Sequence, residues 1–335
     1  MTKIWNLLDE WMVREDEVPS HRWPNLFPSE ASVVIKSSRG KEVQGTCARK
    51  AWLRYQSSVV ANMMDTGDEQ EPEGLLSSLP RAKRDPTSEW IFEERRRIED
   101  TILGVMTKAG LYYSGHRKFL VDLPSGLKLS GEIDAVIQVN GELVGVEIKS
   151  VSGYNAESEI FGTPALRRLG KKGRPRDSHL LQTGLYAWKY RDSLPSFCLL
   201  YFLRGKSLRC EFEIRVQEAR DDWTILIDGR PSEVTINMIL DRYRELAEHI
   251  KTNTLPPRDY SLVYNDKTMN ERLSGEDSLP KGIAEAWQKY YERCPKNPGE
   301  KWKGRQLKRP SYGDLECSWC EYRDWCYDHD GNPQH

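Results

Sequence analysis

The chain has 335 residues, with 50 lysines and arginines against 51 aspartates and glutamates and a formal net charge of −1 at pH 7. So even a balance excludes a global attraction to polyanions, and any phosphate-bearing partner must be met by local basic patches. Seven cysteines, an odd number, argue against a secreted disulfide scaffold. With no signal peptide and no long apolar run in the sequence, the expected setting is a reduced cytoplasm away from membranes.

The length allows two domains or one elaborated α/β domain. Residues 1–45 read as an N-terminal extension rich in tryptophan (Trp5, Trp11, Trp23), which packs over the core or forms a lid. Cys47 opens a helix that runs through Tyr55. Residues 65–86 turn acidic and then rich in Ser, Pro and charge, as a mobile loop does. A helix is expected from Glu89 to Lys108, then strands near 111–121, 127–139, 142–151, 197–204 and 207–216, with helices near 177–191 and 234–251. Residues 253–280 read as a connection and 329–335 as a tail. The class is α/β, a mixed sheet flanked by helices.

The most informative segment is a hairpin, Gly131-Glu-Ile-Asp134 to Glu147-Ile-Lys149, turning at Asn140-Gly141. Asn-Gly between β-branched runs signals a two-residue type I′ turn, so Val139 should face Glu142. That register sets Asp134 opposite Glu147 and Glu132 opposite Lys149. All four point to one polar face, while Ile133, Ala135, Ile137, Val144, Val146 and Ile148 point to a core face. Directly paired carboxylates repel unless a cation lies between them. Mg²⁺ and Mn²⁺ prefer such hard oxygens, which makes Asp134 and Glu147 candidate ligands with the Ile148 carbonyl as a third. Lys149 would then orient or help deprotonate an attacking water and stabilise charge building on a phosphate. An exposed, salt-bridged hairpin face is the competing explanation.

Downstream, Arg167, Arg168, Lys171, Lys172, Arg174 and Arg176 place six positive charges in ten residues without an acid. Such a loop suits a phosphate backbone, here DNA, or is a solvated surface run. In the helix that follows, Gln182 and Tyr186 stand four apart on one face, with Leu181, Leu185 and Trp188 available for packing. A second basic stretch, Lys296 to Arg309, surrounds Trp302 and offers phosphate contacts beside a ring on which a base can stack.

Cys317, Cys320 and Cys326 fall within ten residues. A two-residue gap lets two sulfurs turn onto one metal centre, and the third then needs a fourth ligand from elsewhere. Cys47 is the first candidate and Cys294 the reserve, since Cys198 and Cys210 sit in strand-like runs as buried thiols do. A four-cysteine zinc site and an iron–sulfur cluster both remain open on spacing alone.

Taken in order, the early lone cysteine, the acidic hairpin, Glu147-x-Lys149, Gln182-x-x-x-Tyr186 and Cys317-x2-Cys320-x5-Cys326 resemble the PD-(D/E)xK nuclease superfamily. The particular likeness is to its RecB-like branch with an iron–sulfur cluster, which includes AddB-type and CRISPR-associated iron–sulfur exonucleases. The resemblance implies a restriction-endonuclease-like mixed β-sheet flanked by helices over residues 46–328, with the N- and C-terminal parts joined by a 4Fe-4S cluster on Cys47, Cys317, Cys320 and Cys326. It implies Asp134 and Glu147 as metal ligands, Lys149 as the catalytic lysine, and Gln182 and Tyr186 as residues that support the site and contact DNA. Many relatives carry a histidine ligand on an upstream helix. Here Glu99 stands near that position and Arg95 near the usual glycine, so the site would be all oxygen, with Glu94 and Asp100 as substitutes for Glu99. The implied activity is a Mg²⁺- or Mn²⁺-dependent exonuclease on single-stranded DNA or duplex ends in replication, recombination or repair, prokaryotic or phage-encoded, working with a helicase or recombinase. The alternatives are a CRISPR adaptation nuclease and a non-catalytic subunit that binds DNA ends.

Overall fold

A computed structural model describes residues 25–37, 40–65, 79, 86–123, 126–260, 285, 288, 292, 301–302, 305–306, 315–318 and 320–329. Trp5, Trp11, Trp23, Cys294, most of the 65–86 and 253–280 connections and most of the Lys296–Arg309 stretch lie outside the described residues. The chain forms two units, residues 1–256 and 257–335.

In the first unit, β1 (Ser32–Ser37) and β2 (Gly40–Gly45) make a hairpin, followed by α1 (Ala48–Asp65) and α2 (Pro86–Lys108). Then come β3 (Tyr112–Asp122), β4 (Lys128–Val139), β5 (Glu142–Val151), α3 (Asp177–Tyr190), β6 (Ser196–Leu203), β7 (Leu208–Ala219), β8 (Asp222–Ile227), β9 (Arg230–Thr235) and α4 (Ile236–Lys251). Strands β3 to β9 form one seven-stranded sheet in sequence order. Every neighbouring pair is antiparallel except β5 and β6, which run parallel and are connected through α3. This α/β architecture, a large mixed sheet flanked by helices, is consistent with a restriction-endonuclease-like fold.

The β4–β5 turn forms as its sequence dictates. Asn140 and Gly141 both take positive φ, 52° and 88°, the type I′ geometry whose twist matches the flanking strands. Val139 pairs with Glu142, and the register runs on through Ala135 and Val146. Asp228 and Gly229, with φ of 49° and 75°, make an equivalent turn between β8 and β9. That hairpin extends the sheet beyond the expected strands, and its Asp-Gly signal lies in plain view between Trp223–Ile227 and Arg230.

Both faces of the β4–β5 hairpin are covered, so its second face is not an open polar surface. On one side Ala135, Ile137, Val146 and Ile148 are buried beneath Ile102, Leu103 and Met106 of α2. On the other, Leu181, Leu185 and Tyr186 of α3 are nearly fully buried. The Tyr186 ring meets Phe119 edge-on at 5.1 Å and lies 6.5 Å from Phe197. The reason is that β5 and β6 are interior strands, and a parallel connection lays its helix on the sheet face. The segment before β1 packs against this unit too. Leu26 is buried, bridges Leu129 and exchanges backbone hydrogen bonds with Lys128 and Ser130, while the Tyr243 hydroxyl of α4 donates to the Phe27 carbonyl.

In the second unit, Leu315–Ser318 and Arg323–His329 are short helices. The Cys320 amide donates to the Cys317 carbonyl at 3.2 Å, and Cys317 and Cys326 are buried together with Tyr322 and Trp325. Among the described residues no helix is long and apolar enough to cross a membrane.

Gly145 on β5 leaves room for its neighbour: a Cβ built there would lie 2.3 Å from the Phe197 ring, and Phe197 is itself fully buried. Gly145→Ala should therefore destabilise the fold by about 1–3 kcal/mol through overpacking, read as a lower midpoint in urea. An unchanged midpoint would show that the two side chains are not opposed in this way.

Candidate active site

Strand alternation carries Glu147 and Lys149 onto the face covered by α3. The recorded β4–β5 pairing ends at Ala135 and Val146, one step before Asp134 and Glu147. There the Asp134 side chain takes over: its Oδ2 accepts the Ile148 amide at 2.6 Å. The expected ladder thus gives way to a side-chain contact, which places the Ile148 backbone at the site.

Glu147 is only 1 % exposed, so its charge needs local partners. Its Oε1 sits 2.6 Å from the Lys149 ammonium and accepts a 2.9 Å hydrogen bond from the Gln182 amide nitrogen. That nitrogen also donates to the Tyr186 hydroxyl at 3.1 Å, so the residue pair four apart on α3 reaches the carboxylate as one unit. Gly131 makes the approach possible, because a Cβ there would stand 2.9 Å from the Tyr186 hydroxyl oxygen. Glu147 Oε2, by contrast, is buried with no hydrogen-bond partner among the described residues.

The electrostatics follow from this crowding. Burial pushes the Glu147 carboxyl up to about 8, with Lys149 opposing and Asp134 and Glu99 reinforcing the rise. Burial also raises Asp134, against the pull of Lys149 and the Ile148 amide. For Lys149, burial works against the charge, yet Glu147, Asp134 and Glu99 outweigh it and hold the ammonium above its ordinary range. Glu99 lies on α2, the layer on the opposite face. Its carboxyl is raised by burial and then by Asp134 and Asp100, with His116 and Lys149 opposing. It therefore stands within electrostatic range of the pair.

Among the described residues no group of three or more His, Cys, Asp or Glu side chains is arranged to hold a metal ion. The donor set nevertheless fits a hard cation. Asp134 has one engaged oxygen, Glu147 has a buried oxygen without a partner, and both are carboxylates of the kind Mg²⁺ and Mn²⁺ prefer.

The basic loop is less available than its sequence suggests. Arg167 pairs with Glu157 at 2.9 Å, and Lys172 pairs with Asp228 at 2.8 Å while lying over the Phe212 ring. Arg174 and Arg176 approach Glu159 at 3.8 and 3.7 Å. Arg168 and Lys171 are exposed and form no ion pair among the described residues. The acids that neutralise this loop come from 157–159 and from the β8–β9 turn, outside the ten-residue window. Two histidines near the site escaped the sequence reading. His179 stands one turn before Gln182, its Nδ1 3.0 Å from the Tyr201 hydroxyl, and the i,i+3 spacing to Gln182 was the available signal. His116, at φ 52° and 3.1 Å from Glu132, lies on β3 between the residues that pair with Ala135 and Ile133, a register that local sequence does not announce.

A family model described as the PD-(D/E)XK nuclease superfamily matches residues 42–327, and the chain belongs to that superfamily. The crystal structure of a protein called SSO0001 is similar at 14 % identity, covering 76 % of this chain and 89 % of that one with a TM-score of 0.38. No curated protein matches the chain.

Because burial raises the Glu147 carboxyl to about 8, protons compete with a cation for its oxygens as pH falls. Mn²⁺ should therefore raise the melting temperature more at pH 8.5 than at pH 5.5, and Glu147→Gln should abolish the shift. An equal shift at both pH values, or one that survives in the variant, would place the ion elsewhere.

Proposed function

We propose that this chain is a Mg²⁺- or Mn²⁺-dependent deoxyribonuclease of the RecB-like, iron–sulfur branch, an exonuclease acting on single-stranded DNA or duplex ends in replication, recombination or repair. The observation that carries the reading is the half-satisfied carboxylate of Glu147, with one oxygen locked by Lys149 and Gln182, the other buried without a partner among the described residues, and Asp134 beside it. A non-catalytic DNA-end subunit would leave that oxygen without a purpose, although an unmet buried acceptor costs about 1–3 kcal/mol. The proposed setting is the cytoplasm of a prokaryote or a phage-infected cell, beside a helicase or recombinase.

Asp134, Glu147 and Glu99 would hold the ion, which when bound supplies Lewis-acid neutralisation of the scissile phosphate. Lys149, kept charged by its carboxylate neighbours, places a positive donor where negative charge develops. Its raised pKa suits charge stabilisation rather than proton abstraction. Gln182 fixes Glu147 Oε1, and Tyr186 anchors Gln182 against β4. Together they keep the carboxylate aimed while substrate enters.

With DNA labelled separately at its 5′ and 3′ ends, cleavage should appear in Mg²⁺ or Mn²⁺, vanish in EDTA and fall by about 10²–10³ in Lys149→Ala. Binding without cleavage in every metal condition would sink the nuclease reading.

For the second cofactor we propose a 4Fe-4S cluster on Cys317, Cys320 and Cys326, with Cys47 as the fourth ligand. The spacing of the three and the burial of Cys317 and Cys326 support it, and closing a loop of about 270 residues would restrict the unfolded chain. Anaerobically purified protein should carry iron and acid-labile sulfide in equal amounts, and Cys320→Ala should lose the brown colour and much of the soluble yield. Zinc in place of iron, or a colourless variant as stable and active as the parent, would defeat the proposal.

A further inference from the structure

The carboxylate centre does not account for a set of guanidinium groups at the carboxyl ends of β5 and β6. In open α/β sheets, ligands enter the crevice beyond the carboxyl ends of parallel strands. Here β5 and β6 are the parallel pair, α2 covers one face and α3 the other, so that crevice lies between the first half of α2 and the start of α3.

Three arginines from three elements stand at this end of the sheet, with Arg95 in electrostatic range of the other two. Arg204 follows β6 directly. Its amide donates to the Val151 carbonyl at 2.8 Å, one guanidinium nitrogen donates to Ser152 Oγ at 2.9 Å, and another pairs with Glu94 of α2. Its Nε, however, is buried with no hydrogen-bond partner among the described residues. Arg95, the next residue on α2 and one turn before Glu99, lies over the Phe92 ring at 5.7 Å and forms no ion pair among the described residues. Arg176 precedes α3, where its amide donates to the Tyr201 hydroxyl at 3.1 Å and its side chain stands 3.7 Å from Glu159. Burial, then Arg204 and Arg176, push the Arg95 guanidinium below its ordinary range, with Glu94 opposing.

The set adjoins the carboxylate centre through His179. Burial, then Lys149, Arg176 and Arg95 hold its imidazole well below the usual range, so the histidine feels both the catalytic lysine and the arginines. Glu94 is committed to Arg204, and Glu159 is shared between Arg174 and Arg176. These acids offset Arg204 and part of Arg176, and leave Arg95 without an ion pair among the described residues. Planar guanidinium forks bind phosphate oxygens in pairs, and an anion seated among them would relieve their repulsion.

We propose that Arg95, Arg176 and Arg204 form a phosphate subsite beside the Asp134–Glu147 centre, holding a second phosphate of the substrate strand. That phosphate is either the neighbouring phosphodiester or a terminal monophosphate. The strand's identity as substrate rests on the nuclease reading; the affinity for phosphate does not. Arg204 also braces β6 against α2, so Arg95 and Arg176 are the positions to change.

The test is fluorescence anisotropy in EDTA with two DNA strands that differ only in a terminal phosphate. Melting temperatures of Arg95→Ala and Arg176→Ala are measured alongside. Each variant should melt with the parent, bind about tenfold more weakly, and lower the slope of log affinity against log salt by about 0.7; Arg95→Lys should recover part of the loss. Weakening confined to the phosphorylated strand assigns the subsite to a terminal phosphate, and equal weakening assigns it to the backbone. Parental affinity and salt slope in both folded variants would overturn the proposal, whether or not the parent cleaves DNA. Weakened binding in the variants, with a parent that cleaves in no metal, would remove the nuclease reading and leave the subsite standing.

Discussion

The interaction on which the site depends is the contact of Glu147 with Lys149 and Gln182. A carboxylate taken almost wholly out of water costs several kcal/mol unless it is paired and hydrogen-bonded, and here only one of its oxygens is. Lys149 lies two residues on along the same strand face, and Gln182 descends from the helix that joins two parallel strands. The parallel β5–β6 pair supplies both conditions: it makes β5 an interior strand, and it lays α3 across the face where the carboxylate points. An all-antiparallel meander would have left that face open to solvent.

The hairpin that carries the acids is closed at one end and released at the other. From Asn140-Gly141 the strands pair regularly as far as Ala135 and Val146. Beyond that step Asp134 bonds the Ile148 amide itself. Regular pairing would have set two carboxylates opposite each other with backbone hydrogen bonds beneath them. Glu99 on α2 couples electrostatically to Asp134 and Glu147. Lys149 then binds this group electrostatically: each acid raises its pKa, and it holds each of theirs down.

What could be read in advance follows the range of the interactions concerned. The hairpin register was legible because a turn of two residues with positive φ fixes it locally. The pairing of Gln182 with Tyr186 was legible because helical spacing is local too. Burial of the polar face was not, since the group covering Glu147 comes from 35 residues away and alternation reveals two faces without saying what lies on each. The basic loop misled for the same reason: Arg167 and Lys172 are neutralised by Glu157 and Asp228, and no ten-residue window contains those partners. The β8–β9 hairpin is different, because its Asp228-Gly229 turn was as plain as the one at Asn140-Gly141. Arg95, Arg176 and Arg204 could be associated only once α2, the start of α3 and the end of β6 were placed around one sheet.

The most direct test of the central claim is anomalous scattering from crystals soaked in Mn²⁺. The account predicts a peak coordinated by Asp134 and by the second oxygen of Glu147, lost in Glu147→Gln. Mn²⁺ bound elsewhere, with Glu147 Oε2 still buried and unliganded, would contradict it.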